Sequence, residues 1–248
     1  MEIQHKTPLH DVAFLLIARF DTIVRLENTV HVARYLNDNF ETNIHLWECD
    51  SFYNGFLGKL LPSNVHYAFR EDHDPILHRT RYINQMVRSV EVPYVSVWDV
   101  DVVAQPSQIV KAVELLRQGT DFVYPYEKYF LDTSAVLRRE YLKHGDLKVL
   151  QDYWRFMTEM YPPNPVGGAF LANRESYIRS GLENENFYGW GIEDGERFAR
   201  WKNMGFTIER IEGPIFHLSH PRGINSAIPH PVFSVAKHRE YLKSIRKK

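Results

Sequence analysis

The sequence predicts an α/β fold in which a central, mostly parallel sheet carries helices on its faces. Two observations predict it. Val12-Ala13-Phe14-Leu15-Leu16-Ile17-Ala18 is a continuous apolar run, the pattern of a strand buried on both faces. After Arg19 and Asp21 the period changes: Ile23, Val24, Leu26, Val30, Val32, Ala33, Tyr35 and Leu36 recur at helical spacing up to the turn-forming Asn37-Asp38-Asn39. Asn43–Cys49 then reads as a second strand, which completes a βαβ unit. Its right-handed crossover places ligands at the carboxyl ends of the strands, where Asp50 stands.

The alternation continues along the chain. Val65–Phe69 is a short strand, Arg79–Val90 a helix and Tyr94–Trp98 a further buried strand that stops at Asp99. Pro106–Gln118 reads as a helix and Asp121–Tyr124 as a strand. Thr133–Met160 is polar, rich in Tyr and Arg, and reads as a helical insertion over the site. Beyond Pro165–Leu171 come a helix at Arg174–Ser180, an aromatic glycine-rich turn, a helix at Asp194–Met204 and a strand at Thr207–Ile211. Tyr241–Lys248 is basic and amphipathic, and Lys243–Lys248 allows a weak contact with an anionic membrane surface beside its plainer reading as a solvated helix end.

Composition narrows the function classes. With 248 residues, 44% hydrophobic and 14% aromatic, the chain suits one compact unit and not a disulfide-stapled mini-protein. A formal net charge of -1 gives no electrostatic reason for a nucleic-acid polymer as partner. The single cysteine, Cys49, forbids an intramolecular disulfide and a zinc–thiolate framework, which fits a reducing, cytoplasmic setting. Val12–Ala18 is far shorter than the roughly 20 apolar residues of a membrane span, and no basic segment of a signal peptide precedes it.

Three groups of residues carry chemistry. Asp99 and Asp101 follow a buried strand and alternate to the same side, so two close anions stand at the ligand edge of the sheet. A hard divalent cation such as Mn²⁺ or Mg²⁺ relieves that repulsion and also binds diphosphate oxygens; the plain alternative is a capping pair for the helix near Pro106. Glu193 and Asp194 open a helix, where capping accounts for one acid, while Glu196 pairs with Arg197 or Arg200. Capping does not account for Trp190 between Gly189 and Gly191, an open aromatic face of the kind that stacks on sugar rings. Gly167-Gly168 allows close backbone approach to a ligand, or forms a tight turn.

Two stretches give the chain a resemblance: Tyr94–Asp101, and Asn164–Phe170 through Gly189-Trp190-Gly191-Ile192-Glu193-Asp194-Gly195-Glu196. The sequence resembles GT-A glycosyltransferases, in particular the branch of β-1,4-galactosyltransferases and chondroitin-polymerase-like enzymes. The likeness implies a single GT-A domain over 1–248, with a Rossmann-like nucleotide-binding half at about 11–104, a donor and acceptor half at about 105–222 and a tail at 223–248. It implies a metal site of Asp101, with Asp99 contacting metal or ribose, completed by a downstream histidine, His217 first and His220 in reserve. It implies Asp194 as the general base, assisted by Glu193, and Gly167, Gly168, Trp190 and Gly191 at the donor or acceptor sugar. Arg19, Asp21, Asp50, Arg79, Asn84 and Asp99 are then nucleotide contacts, and Arg222 a candidate for a diphosphate oxygen. The Glu127–Tyr161 segment is the candidate lid. The function implied is metal-dependent, inverting transfer of a hexose or N-acetylhexosamine from a UDP-sugar, of galactose or N-acetylgalactosamine type, to a saccharide or glycoconjugate hydroxyl. The rivals are a nucleotide-sugar-binding protein with little transfer, and a phosphohydrolase or nucleotidyltransferase built on the same carboxylates.

Overall fold

A computed structural model describes residues 5–226 and 231–246. In chain order its elements are β1 (Thr7–Ala18), α1 (Ile23–Asn39), β2 (Phe40–Asp50), α2 (Phe56–Leu60), β3 (His66–Glu71), α3 (Arg79–Ser89), β4 (Tyr94–Trp98), β5 (Val102–Ala104) and α4 (Pro106–Arg117). Then follow β6 (Phe122–Tyr124), β7 (Phe130–Asp132), α5 (Ala135–His144), α6 (Lys148–Asp152), β8 (Thr158–Glu159), β9 (Ala169–Asn173), α7 (Arg174–Arg179), α8 (Glu193–Asn203), β10 (Ile208–Arg210), β11 (Ile215–His217) and α9 (Pro231–Arg246).

The central sheet has the order β10-β6-β9-β4-β1-β2-β3. It is mixed: β9 runs antiparallel to both β4 and β6, while the other pairs are parallel. The apolar run Val12–Leu16 is buried throughout because helices cover both faces, as a central strand requires. On one flank Phe122 stacks on Trp201 at 3.6 Å, and the indole donates to Ser180 Oγ at 3.0 Å.

A second, smaller sheet, ordered β5-β11-β7-β8, lies at the carboxyl end of β4. The sequence reading has no strand at β5, β7 or β11. These strands are three residues long, too short to display a period, and they form because partners distant in the chain supply their hydrogen bonds. Asp99–Asp101 is consequently a turn between β4 and β5, with Val102 N–H donating to Asp99 O at 3.3 Å. The capping alternative fails, because Gln105 and Gln108 form the capping box of α4.

Thr133–Met160 differs from its expectation. It breaks into α5, α6, a 3-10 turn at Trp154–Phe156 and β8, and α5 turns away from the site to pack on α1. Its polar side chains are engaged there: Arg138 donates to Asn28 Oδ1 at 2.7 Å and pairs with Glu27 at 2.7 Å. No helix among the described residues is long and apolar enough to cross a membrane. The C-terminal segment forms α9 and docks on α8, with Ser244 donating to Glu196 at 2.5 Å; Lys247 and Lys248 lie outside the described residues.

Removing the indole that closes the flank of the sheet leaves a large cavity. Trp201→Ala should therefore cost about 3–5 kcal/mol of stability, read as a lower midpoint in urea unfolding.

Candidate functional site

A cleft of about 400 Å³ opens where the two sheets meet. Its floor is the β4–β5 turn; its walls are the 160–168 segment, the 189–194 turn and the 217–226 loop.

The second sheet assembles the floor. Pairing of β11 sets His217 opposite Val102, one residue from Asp101, and on its other side opposite Asp132. Asp101 Oδ2 lies 3.8 Å from His217 Nε2 and 3.1 Å from His220 Nε2. One ligand atom from each of Asp101, His217 and His220 falls within 4.8 Å of the others, a carboxylate–imidazole set suited to a divalent cation such as Mn²⁺. Asp132 Oδ1 stands 2.7 Å from His217 Nδ1, which fixes the ring and leaves Nε2 toward Asp101. His217 and His220 thus converge together, where the sequence ranked one above the other.

The two carboxylates of the turn differ. Burial opposes ionisation of Asp101, but His217, the His220 hydrogen bond and Arg25 at 4.0 Å outweigh it and hold this carboxyl well below its usual range. Burial pushes Asp99 up to about 6, against the pull of Arg79 and with repulsion from Asp101 adding to the rise. Asp99 is ion-paired with Arg79, so it stands outside the imidazole cluster.

On the opposite wall Asp194 is held by Arg197, whose guanidinium donates to Asp194 Oδ1 at 2.7 Å and pairs with Glu183 at 3.2 Å. That guanidinium is buried and packs over Phe170 at 4.2 Å, so its geometry is rigid. A Cβ at Gly167 would come within 2.7 Å of Asp194 Oδ2, and one at Gly168, with φ +80°, within 2.9 Å of the Phe130 ring. Glycine is therefore favoured at 168 by conformation and close approach together, and at 167 by the nearness of the Asp194 carboxylate. Gly189 and Gly191 also have positive φ, and Ile192 follows at φ +74°, a left-handed conformation that costs a β-branched residue roughly 1–3 kcal/mol. The turn presents Trp190 half-buried, 6.5 Å from Tyr161 and under the Arg222 guanidinium at 5.5 Å. Glu196 pairs with Arg200 at 2.9 Å, as a structural residue.

The residues expected at the nucleotide divide between the cleft and its surroundings. Arg19 lines the cleft, but its donors go to Cys49 O and Asp74 O, both at 2.7 Å, and to Asp72. Asn84 is buried away from the cleft, donating to Glu183 O at 3.0 Å and Glu185 at 2.8 Å. Asp50 accepts from Ser51 N at 2.7 Å, and Asp21 faces Arg25 at 3.8 Å; neither lines the cleft. Of the Glu127–Tyr161 lid candidate, Phe130, Met160 and Tyr161 reach the cleft. Sequence reasoning missed Arg25, Asp132 and Lys237, and offered Arg197 to Glu196 where it in fact holds Asp194. Asp132 and Lys237 become visible only through pairing and packing of distant segments, whereas Arg197, one turn after Asp194, was legible as an i,i+3 partner.

Residues 151–222 match a family described as the N-terminal domain of galactosyltransferase. The expected likeness to GT-A galactosyltransferases is borne out. Among solved structures, the catalytic domain of Drosophila β-1,4-galactosyltransferase 7 in complex with xylobiose superposes with a TM-score of 0.59 at 15% identity, over 97% of this chain and 82% of that one. A mutant of the same Drosophila enzyme in complex with manganese, UDP-Gal and xylobiose gives a TM-score of 0.51 at 16% identity, over 82% of this chain and 65% of that one. The fold is that of these GT-A enzymes, and with the family match it supports a glycosyltransferase. No curated protein matches the chain in sequence.

Glu193 is buried beside Asp194, with one carboxylate oxygen lacking a hydrogen-bond partner among the described residues. Burial first, and repulsion from Asp194 second, push its carboxyl from 4.5 up to about 7. A carboxyl raised in this way favours folding while protonated, fully below about 4.5, and that contribution is lost as pH rises through about 7. Glu193→Gln removes the loss. The variant's melting temperature should gain on the parent's between about pH 5 and about pH 8; a constant difference contradicts the assignment.

Proposed function

We propose that the chain is a metal-dependent, inverting glycosyltransferase that moves a hexose or N-acetylhexosamine, of galactose or N-acetylgalactosamine type, from a UDP-sugar to a saccharide or glycoconjugate hydroxyl. The observation that carries this reading is one cleft holding a cation-type donor set on its floor and an arginine-fixed carboxylate on its wall.

Asp101, His217 and His220 are the residues to hold Mn²⁺ or Mg²⁺, with Asp132 orienting His217. When bound, the ion neutralises charge that develops on the diphosphate leaving group. Arg25 and Arg79 add fixed positive charge at the same floor. Trp190 supplies a stacking face for a sugar ring, and Gly167-Gly168 lets the main chain approach the donor. Arg197 holds one oxygen of Asp194 and leaves the other to accept the proton. The acceptor hydroxyl then attacks the anomeric carbon: the new carbon–oxygen bond forms as the bond to the diphosphate breaks, UDP leaves with the electron pair and Asp194 takes the proton. Attack opposite the leaving group inverts the centre.

The complexes of the Drosophila enzyme, with manganese and UDP-Gal in one and xylobiose in both, favour a UDP-sugar donor and a sugar acceptor. The test is incubation with Mn²⁺ and a panel of nucleotide sugars, reading released UDP and glycosylated product. Asp194→Asn should lower transfer by about 10²–10⁴-fold while calorimetry shows unchanged UDP affinity. Transfer at the parent rate overturns the base assignment, and UDP binding without transfer by the parent leaves the binding-protein reading. Chelation should abolish transfer and Mn²⁺ restore it. Asp132→Asn should weaken metal affinity by about 10–100-fold, seen in the Mn²⁺ concentration needed for half-maximal rate.

A further inference from the structure

The acceptor wall rests on a helix outside the segment that matches the galactosyltransferase family. Helix α9 follows that segment and lies against α8. Its inner face is polar at successive turns. Lys237 donates to the carbonyl of Trp190 at 2.5 Å, Glu240 accepts from Asn184 and Asn186, each at 3.1 Å, and Ser244 donates to Glu196 at 2.5 Å. Positions 237, 240 and 244 fall on one helical face by their i, i+3, i+7 spacing.

Lys237 differs from an ordinary lysine on a helix surface. It is only 2% exposed, and its ammonium reaches beneath the turn that carries Trp190, within 4.0 Å of where a Cβ of Gly189 would lie. The charge facing it is Glu193, the buried carboxylate with an unpartnered oxygen. A buried ammonium is costly unless it is bonded and compensated; here the Trp190 carbonyl bonds it, and Glu193 compensates it when ionised. The turn needs an outside hold at Ile192, whose positive φ is strained, whereas Gly189 and Gly191 adopt theirs freely.

We propose that α9 is a strap for the acceptor wall and that Lys237 is a positioning residue, tying the Gly189–Ile192 turn to the helix so that Trp190 and Asp194 keep their places relative to the metal floor. The donor side of the cleft is built on β4, β5 and β11 and does not depend on this tie. Loss of Lys237 therefore acts on acceptor use and leaves nucleotide binding intact. This inference rests on the glycosyltransferase reading for its kinetic consequence, and on the turn alone for its structural one.

Both are measurable with the full chain. Lys237→Met keeps an unbranched stem as far as the ε position and removes the donor and the charge. Hydrogen exchange followed by mass spectrometry should show the amides of 189–193 exchanging about tenfold faster in this variant, with those of β4 and β5 unchanged. In the transfer assay, kcat/KM for the acceptor should fall by about tenfold or more, while UDP affinity in Mn²⁺ stays within about twofold. A double variant, Glu240→Gln with Ser244→Ala, loosens the same helix without touching the turn and separates docking from positioning. Unchanged exchange at 189–193 overturns the strap. So does a Lys237→Met variant that loses melting temperature, UDP affinity and transfer together, as the double variant does, because that is plain destabilisation. If the parent transfers no sugar, the glycosyltransferase reading falls and the exchange experiment still decides the strap.

Discussion

Strand β11 is the constraint on which the candidate metal site depends. It is three residues long and lies between β5 and β7, so its backbone pairing brings residues 215–217 beside the turn that ends β4. Side chains at paired positions of a ladder lie about 5 Å apart, so the register that sets His217 against Val102 and Asp132 also fixes the imidazole between two carboxylates. A shift of one residue would turn His217 to the other face of the sheet and dissolve the donor set. The pairing is secured beyond the strand, where Leu218 N–H donates to Asp101 O at 2.7 Å.

The second wall is organised by one buried cation. Arg197 would be costly in the core without compensation. Glu183, Asp194 and the Val166 carbonyl supply acceptors, and Phe170 and Trp201 supply aromatic faces at 4.2 and 5.4 Å. The same side chain thus joins the packed flank of the central sheet to a carboxylate at the cleft, and stiffness in the core becomes stiffness at the site. Lys237 plays a parallel part from the other side of α8, where its charge meets Glu193 and its hydrogen bond holds Trp190.

Much of this architecture was legible in the residues. The long apolar run of β1, the helical spacing of α1 and the strand at Tyr94–Trp98 each carry their own period, so local pattern and final structure agree. The paired aspartates and the Trp-Gly-Ile-Glu-Asp block were likewise visible, because each concentrates its chemistry within a few residues. The small sheet was not. Strands of three residues hold no readable alternation, and the Asp132–His217 contact joins positions 85 residues apart. Polarity misled in the Thr133–Met160 stretch, which reads as a helical insertion over the site: the Arg138 guanidinium there is engaged by Asn28, Glu27 and Val24 beneath α5. Arg19 lines the cleft at the end of β1, and its donors also brace Cys49, Asp72 and Asp74, a set of partners that sequence did not show.

The approach of Gly167 to Asp194 has a consequence for descent. Because an oxygen of the acid lies 2.7 Å from where a β-carbon of residue 167 would stand, an added methyl and that oxygen cannot both keep their places. In any lineage that shares this framework, alanine at this position would oblige the carboxylate at 194 to move, so the bareness of one backbone site and the placement of one acid are tied together.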